Sequence, residues 1–289
     1  MTEQSSASGQ STDSDLGRDE VGGLFSAVKG MFSFFTMLPL NIGWKEMNAM
    51  NRKFWLVPII GLFYGLLALL VFTIVEHYTT AFLAAVCALF TVQMFNRFLH
   101  LDGMIDIGDG LTVAGKREDH LRALKDTRIG AGGMATGLFV TVMTIAAMYS
   151  IGTAELFMFV GVSCEILARV GQISAAAFGE PGNGMAGDSV RYTGFAGLML
   201  ACILAIAFIA GDFAVGGYIM GYDWHMFEPC CIAAAVSFFV AIFWGFVMSR
   251  IAKRNFGMVN GDVLGATNET SRAVTLFAMI ATFMIMTGM

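Results

Sequence analysis

Six apolar stretches, each close to the length needed to cross a bilayer, leave this chain little freedom in what it can fold into. A crossing takes about 20 apolar residues, because a helix rises about 1.5 Å per residue through roughly 30 Å of hydrocarbon. Residues 57–75, 79–98, 131–151, 155–178, 195–211 and 230–249 meet or approach that length, the fifth able to run on to residue 219, and a seventh stretch spans 273–289. Over the 289 residues, 56% are apolar and only 13% charged, where soluble domains run near 45–50% and about 25%. The expected fold class is therefore all-α: a polytopic helical membrane protein with about six to eight transmembrane helices. The run 31–40 is too short to cross and is placed as an interfacial or re-entrant helix.

Residues 2–20 are rich in Ser, Gly and acids and cannot bury enough apolar area to offset chain entropy, so they read as a disordered tail ahead of one catalytic domain over 21–289. The five cysteines lie in apolar text without a C-x-x-C and read as small core residues. A net charge of −5 argues against nucleic acid as a partner. The bases show which way the chain faces. With the segment before residue 57 in the cytoplasm, the outer connections fall at 76–78, 152–154 and 212–229. None of the 17 Lys and Arg lies there, whereas Glu76, Asp212, Asp223 and Glu228 do. Arg52, Lys53, Lys116 through Arg128, Arg191, Arg250 through Arg254 and Arg272 all fall on the other side, which is the inside-positive pattern. Every long polar connection is then cytoplasmic.

Three of those segments carry chemistry. His100-Leu101-Asp102-Gly103-Met104-Ile105-Asp106-Ile107-Gly108-Asp109-Gly110-Leu111 follows the second stretch. Asp102, Asp106 and Asp109 stand at i, i+4 and i+7, so on a helix continuing from that stretch they share one face. Like charges on one stripe repel one another unless a cation sits among them, and at a helix C-terminus they also oppose the macrodipole. Oxygen-only ligands suit a hard ion such as Mg²⁺, which keeps some waters and binds substrate phosphates. The second segment runs from Lys116 through Lys125, Asp126, Thr127 and Arg128 into Gly130-Ala131-Gly132-Gly133. Basic residues beside a span satisfy topology alone, but a glycine-rich helix entry also offers free N–H groups to a phosphate. Arg128 and Lys125 are candidates for both roles. In the third segment Asp262 and Glu269 are seven apart and Asn268 adds an amide. That pattern suits a loop with a helix cap, and becomes suggestive because it shares a side with the Asp cluster. Within the fourth stretch, Glu165 and Arg169 have the i,i+4 spacing that lets them bond to each other and wall a polar cavity.

The strings HLDGMIDIGDGL and KDTRIGAGG closely resemble the signature of the adenosylcobinamide-GDP ribazoletransferase family, also called cobalamin-5′-phosphate synthase. The agreement extends to FFTMLPL at 34–40, to Pro58 and Gly61, and to NGDVLGATNE at 260–269, in order from about Phe32 onward. Residues 178–191 and the tail before Val21 match nothing in it. The resemblance implies a multi-pass inner-membrane enzyme whose active site faces the cytoplasm. It would join adenosylcobinamide-GDP to α-ribazole, or its 5′-phosphate, and release GMP using Mg²⁺. Asp102, Asp106 and Asp109 would hold the metal and, with Arg128, carry catalysis. His100, Lys125, Asp126, Glu165, Arg169, Asp262, Asn268 and Glu269 would contact substrate. The lipid bilayer is the other partner, and a homo-oligomer is left open. A transporter, from a different class, would concentrate its ionisable groups at mid-membrane and often show an internal repeat; here nearly all the acids sit at one face and no repeat is visible.

Overall fold

A computed structural model describes residues 21–220 and 224–288, so the tail at 2–20 and Asp223 lie outside the described residues. The chain is all-α. Among the described residues the only β feature is an isolated bridge between Pro181 and Val259. Two short helices come first, α1 (Leu24–Phe35) and α2 (Trp44–Arg52), packed on each other. At 12 residues α1 is too short to cross, and residues beyond Thr36 leave helical geometry ahead of α2, so the short apolar run 31–40 is half helix and half connection.

Then come α3 (Pro58–Tyr78), α4 (Ala81–Phe95), α5 (Leu99–Thr112), α6 (Arg117–Leu124), α7 (Ala131–Ile151), α8 (Ala154–Phe178), α9 (Met185–Met220), α10 (Trp224–Asn255) and α11 (Gly261–Thr287). Six helices are long and apolar enough to cross a membrane, or seven if α4 and α5 count as one broken span. Their starts follow ordinary capping rules. Pro58 sits in the first turn of α3, and the side chains of Thr80, Thr153 and Asn260 accept from the first turns of α4, α8 and α11. The central element is α8, with residues 159–176 all buried and α3, α9, α10 and α11 packed around it. Outward faces of the surrounding helices carry exposed Phe139, Ile203, Phe239 and Phe277, as a lipid-facing surface should.

Several boundaries differ from the sequence expectation. The predicted span 79–98 ends at Phe95. Arg97 and Phe98 take left-handed backbone conformations (φ 58° and 56°), and α5 leaves at 92° to α4. No Gly or Pro marks the break. Tertiary contacts hold it: Arg97 Nη2 donates to the Phe34 carbonyl at 2.6 Å, and Phe98 N donates to the Gln93 carbonyl at 2.8 Å. The last helix starts at Gly261, twelve residues before the apolar run at 273, so the third polar segment is helix and not loop. Asp212, expected in an outer connection, lies inside α9. Residues 179–184, which matched nothing in the sequence reading, run alongside Val259, with Val259 N donating to Glu180 O at 2.7 Å and Gly182 N to Val259 O at 3.1 Å.

Candidate active site

The right-angle turn decides where the first acidic segment lies. The helix does not continue from the span, so the expectation of acids at a helix C-terminus is corrected for Asp102, which occupies the first turn of the new helix α5, where the N-terminal dipole favours a carboxylate; Asp109 does lie in its last turn. α5 lies across the end of the bundle, packed against the starts of α7 and α11. Glycines permit the approach. A Cβ on Gly103 would stand 2.9 Å from the backbone of Asp262, and one on Gly133 would stand 2.5 Å from both the Ile105 carbonyl and an Asp109 carboxylate oxygen. Asp262 is thereby brought to the three aspartates of α5.

Asp102 is exposed; Asp106, Asp109 and Asp262 are partly buried. Among the described residues no Lys or Arg forms an ion pair with any of the four. Asp106 shows the electrostatic result. Partial burial, reinforced by Asp102, Asp262 and Asp109, raises its carboxyl from the ordinary 3.8 to about 6. Asp109 differs from its neighbours, because one oxygen accepts from Gly130 N at 2.7 Å and the other from Gly133 N at 2.7 Å. The glycine-rich entry of α7, read from sequence as a phosphate seat, thus spends two N–H groups on this carboxylate.

The four acids were tested as a seat for Mg²⁺. Among the described residues no three His, Cys, Asp or Glu side chains stand close enough together to hold an ion by themselves. The donor chemistry nonetheless fits: all are carboxylate oxygens, mutually repelling and unpaired by cations. Mg²⁺ characteristically binds one or two carboxylates, keeps waters and completes its shell with substrate phosphates. The basic loop beside them is exposed. Arg128 binds Asp126 through Nε at 3.2 Å and Nη2 at 3.0 Å, and this pairing holds the Asp126 carboxyl below its ordinary range. Lys125 lies at the C-terminus of α6, exposed.

A second polar cluster lies behind the first and is wholly enclosed. Glu165, Arg169, Asn268 and Arg272 are fully buried, and Glu269 and His100 nearly so. The pairing expected between Glu165 and Arg169 does not form. Glu165 binds Arg272 across the α8–α11 interface, Oε1 to Nε at 2.6 Å and Oε2 to Nη2 at 3.2 Å, because a guanidinium on the facing helix presents a two-pronged fork that a neighbour on the same helix does not. Arg272, assigned above to the cytoplasmic bases, is therefore an interior residue. Its Nη1 reaches Glu269, which also accepts from Gln93 Nε2 at 2.7 Å. Arg169 turns instead to His100 Nε2 and Gln172 Oε1, both at 3.1 Å, with its guanidinium 5.4 Å from the Phe35 ring and 5.6 Å from the Tyr64 ring. Among the described residues its Nε and Nη2 meet no acceptor. Asp262 and Glu269, seven apart on one helix, serve different clusters: Asp262 the open acidic face, Glu269 the buried network.

His100 joins the two regions, since it shares α5 with the aspartates and touches Arg169 and Asn268 (Nδ2 to Nδ1, 3.5 Å) in the buried one. Sequence reasoning missed Gln93, Gln172, Tyr64 and Phe35. The two glutamines carried a signal, each being a lone amide in apolar text, with Gln172 one helical turn from Arg169.

A family model described as cobalamin-5-phosphate synthase matches residues 27–280. The chain belongs to that family. Members named adenosylcobinamide-GDP ribazoletransferase include one from Methanocella arvoryzae, 30% identical over 89% of this chain and 96% of its own. One from Halorubrum lacusprofundi is 29% identical over 88% and 96%, and one from Thermococcus kodakarensis 24% identical over 87% and 97%. No solved structure matches. The family's match spans both acidic segments, the basic loop and the buried network.

Proposed function

We propose that this protein joins adenosylcobinamide-GDP to α-ribazole, or its 5′-phosphate, and releases GMP, at a site facing the cytoplasm from the inner membrane. The relatives' names supply the reaction, and the observation that carries the reading to particular residues is the four unpaired carboxylates gathered at one end of the bundle. A ribose hydroxyl, taken as the 3′, attacks the phosphorus on the corrinoid side of the diphosphate. A new P–O ester forms, and the bond to the bridging oxygen breaks, leaving that oxygen on GMP.

One or two of Asp102, Asp106, Asp109 and Asp262 would hold Mg²⁺, with substrate phosphate and water completing its shell; when bound, the ion offsets the charge developing on the leaving phosphate. A carboxylate of the four left free of the metal would take the hydroxyl proton. Arg128 and Lys125, exposed on the adjoining loop, would bind non-bridging oxygens. Arg128 would exchange its Asp126 partner for phosphate, an inexpensive step for an ion pair in water. The buried cluster would have a different role, fixing α5 against α8 through His100 and Arg169 and against α11 through His100 and Asn268. Incubation of the purified protein in bilayers with adenosylcobinamide-GDP, α-ribazole and Mg²⁺ should release GMP. No GMP, with or without the 5′-phosphate, would overturn the proposal.

A further inference from the structure

Beside the acidic face a cavity of about 220 Å³ opens between α1, α2, α5, α8, α9 and α11. Its enclosed end is formed by Phe35, Phe54, His100 and Gln172, all less than 5% exposed. Asp102, Asp262 and the exposed Gly261 stand at the open end. Phe34, Phe35 and Phe54 share the walls with Met50, Leu99, Met185 and Leu264, and Phe35 stacks on His100 with ring centroids 5.7 Å apart. No Lys or Arg lines it.

This lining selects among the parts of the two substrates. No cationic side chain lines its interior, so the enclosed end offers a phosphate or diphosphate no charge to bind. Polar capacity within is small. His100 Nε2 is taken by Arg169, and Ser189 donates its hydroxyl to Asn51 at 3.0 Å, which leaves its oxygen only as an acceptor. Gln172 Oε1 is taken by Arg169 as well, and its Nε2 has only a 3.5 Å approach to His100. Among the lining side chains, the amide N–H of Gln172 is thus the donor with a hydrogen left to give. A guanine would bring several donors and acceptors on its edges, and each left unpaired in such a pocket costs about 1–3 kcal/mol. A flat, uncharged, largely apolar heteroaromatic ring with a single acceptor nitrogen meets these walls without that penalty.

We infer that this cavity seats the heteroaromatic base of the ribazole nucleoside, with Gln172 donating to its ring nitrogen and the ribose held at the mouth beside Asp102 and Asp262. The inference rests on the proposed function for the identity of the nucleoside. It adds the subsite and the residues that set base selectivity: Phe35, Phe54, Ala186 and Gln172.

The test uses the full chain in bilayers, with GMP release measured while each substrate is varied in turn. Ala186→Phe, which fills the cavity, should raise KM for α-ribazole at least 10-fold and leave KM for adenosylcobinamide-GDP within twofold. Gln172→Leu should raise the same KM about fivefold to tenfold, the loss of one hydrogen bond. If Ala186→Phe does not fold, Phe54→Leu is read instead, and should shift selectivity toward ribosides with bulkier bases. A rise confined to adenosylcobinamide-GDP, or no change in either KM, would overturn the inference. Equilibrium binding of α-ribazole alone to wild type and to the variants separates the two ideas. Binding that Ala186→Phe weakens, in a protein that releases no GMP, would sustain the pocket and sink the proposed reaction. Binding that none of the variants alters would sink the pocket.

Discussion

Two groups of ionisable side chains lie next to each other in this protein and obey opposite rules. In the interior, Glu165 and Glu269 are matched by Arg272, with Arg169 set against His100, Gln172 and aromatic faces. At the end of the bundle, Asp102, Asp106, Asp109 and Asp262 crowd together with no basic partner among the described residues. Burial enforces the pairing of both glutamates with Arg272, since an uncompensated carboxylate in a medium without water is costly to keep. Access to water permits the second, and its unrelieved repulsion is a standing affinity for a cation. Paired charge holds the helices; unpaired charge is left open to solvent.

The comparison is open to direct attack. Arg272→Met removes one partner and leaves two buried carboxylates facing each other, a loss of about 3–5 kcal/mol. The expected outcome is a large fall in thermal stability in detergent. Unchanged melting would mean that the interior network is not what holds α8 to α11. Asp106→Asn should do the reverse: turnover drops about 10²–10³-fold at saturating Mg²⁺ while the melting temperature holds or rises. Full activity in that variant would remove the carboxylate from the mechanism. Gly103→Ala forces a Cβ to 2.9 Å from the backbone of Asp262, so it should cost about 1–3 kcal/mol and lower turnover by moving α5 away from α11.

A pH titration sharpens the same contrast. Asp106 holds its proton more tightly folded than unfolded, about 6 against 3.8. Its contribution to stability is therefore fully present below the lower value and is lost as pH rises through the higher one. Without Mg²⁺, wild type should lose melting temperature relative to Asp106→Asn between about pH 4 and about pH 7, and Mg²⁺ should restore it above that window. A flat difference across the range would show that neither burial nor the neighbouring carboxylates raise the proton affinity of Asp106. The smallest effect belongs to the exposed loop. Asp126→Asn should leave melting unchanged, because the pair it breaks is solvated. Only the KM for adenosylcobinamide-GDP should respond.

Much of this could be read from the chain itself. Apolar length located the spans, and the spacing of Asp102, Asp106 and Asp109 located the acidic face, because both are local properties. What escaped depended on distant partners. Glu165 and Arg169 have the spacing of a bonded pair, yet the group that binds Glu165 lies 107 positions away. Asn96, Arg97 and Phe98 carry no signal of a sharp turn, which is imposed by contacts such as that of Arg97 with Phe34. The glycines at 130 and 133 suggested a phosphate seat, and their N–H groups are bound to Asp109 across a helix interface that hydropathy does not reveal.

By turning through 92° after α4, the chain lays its acidic helix across the ends of the spans as a lintel rests on posts. A doorway built that way lets a bulky, water-loving guest be handled on the threshold. The membrane then serves as a floor on which the work is done, and the guest never needs to cross it.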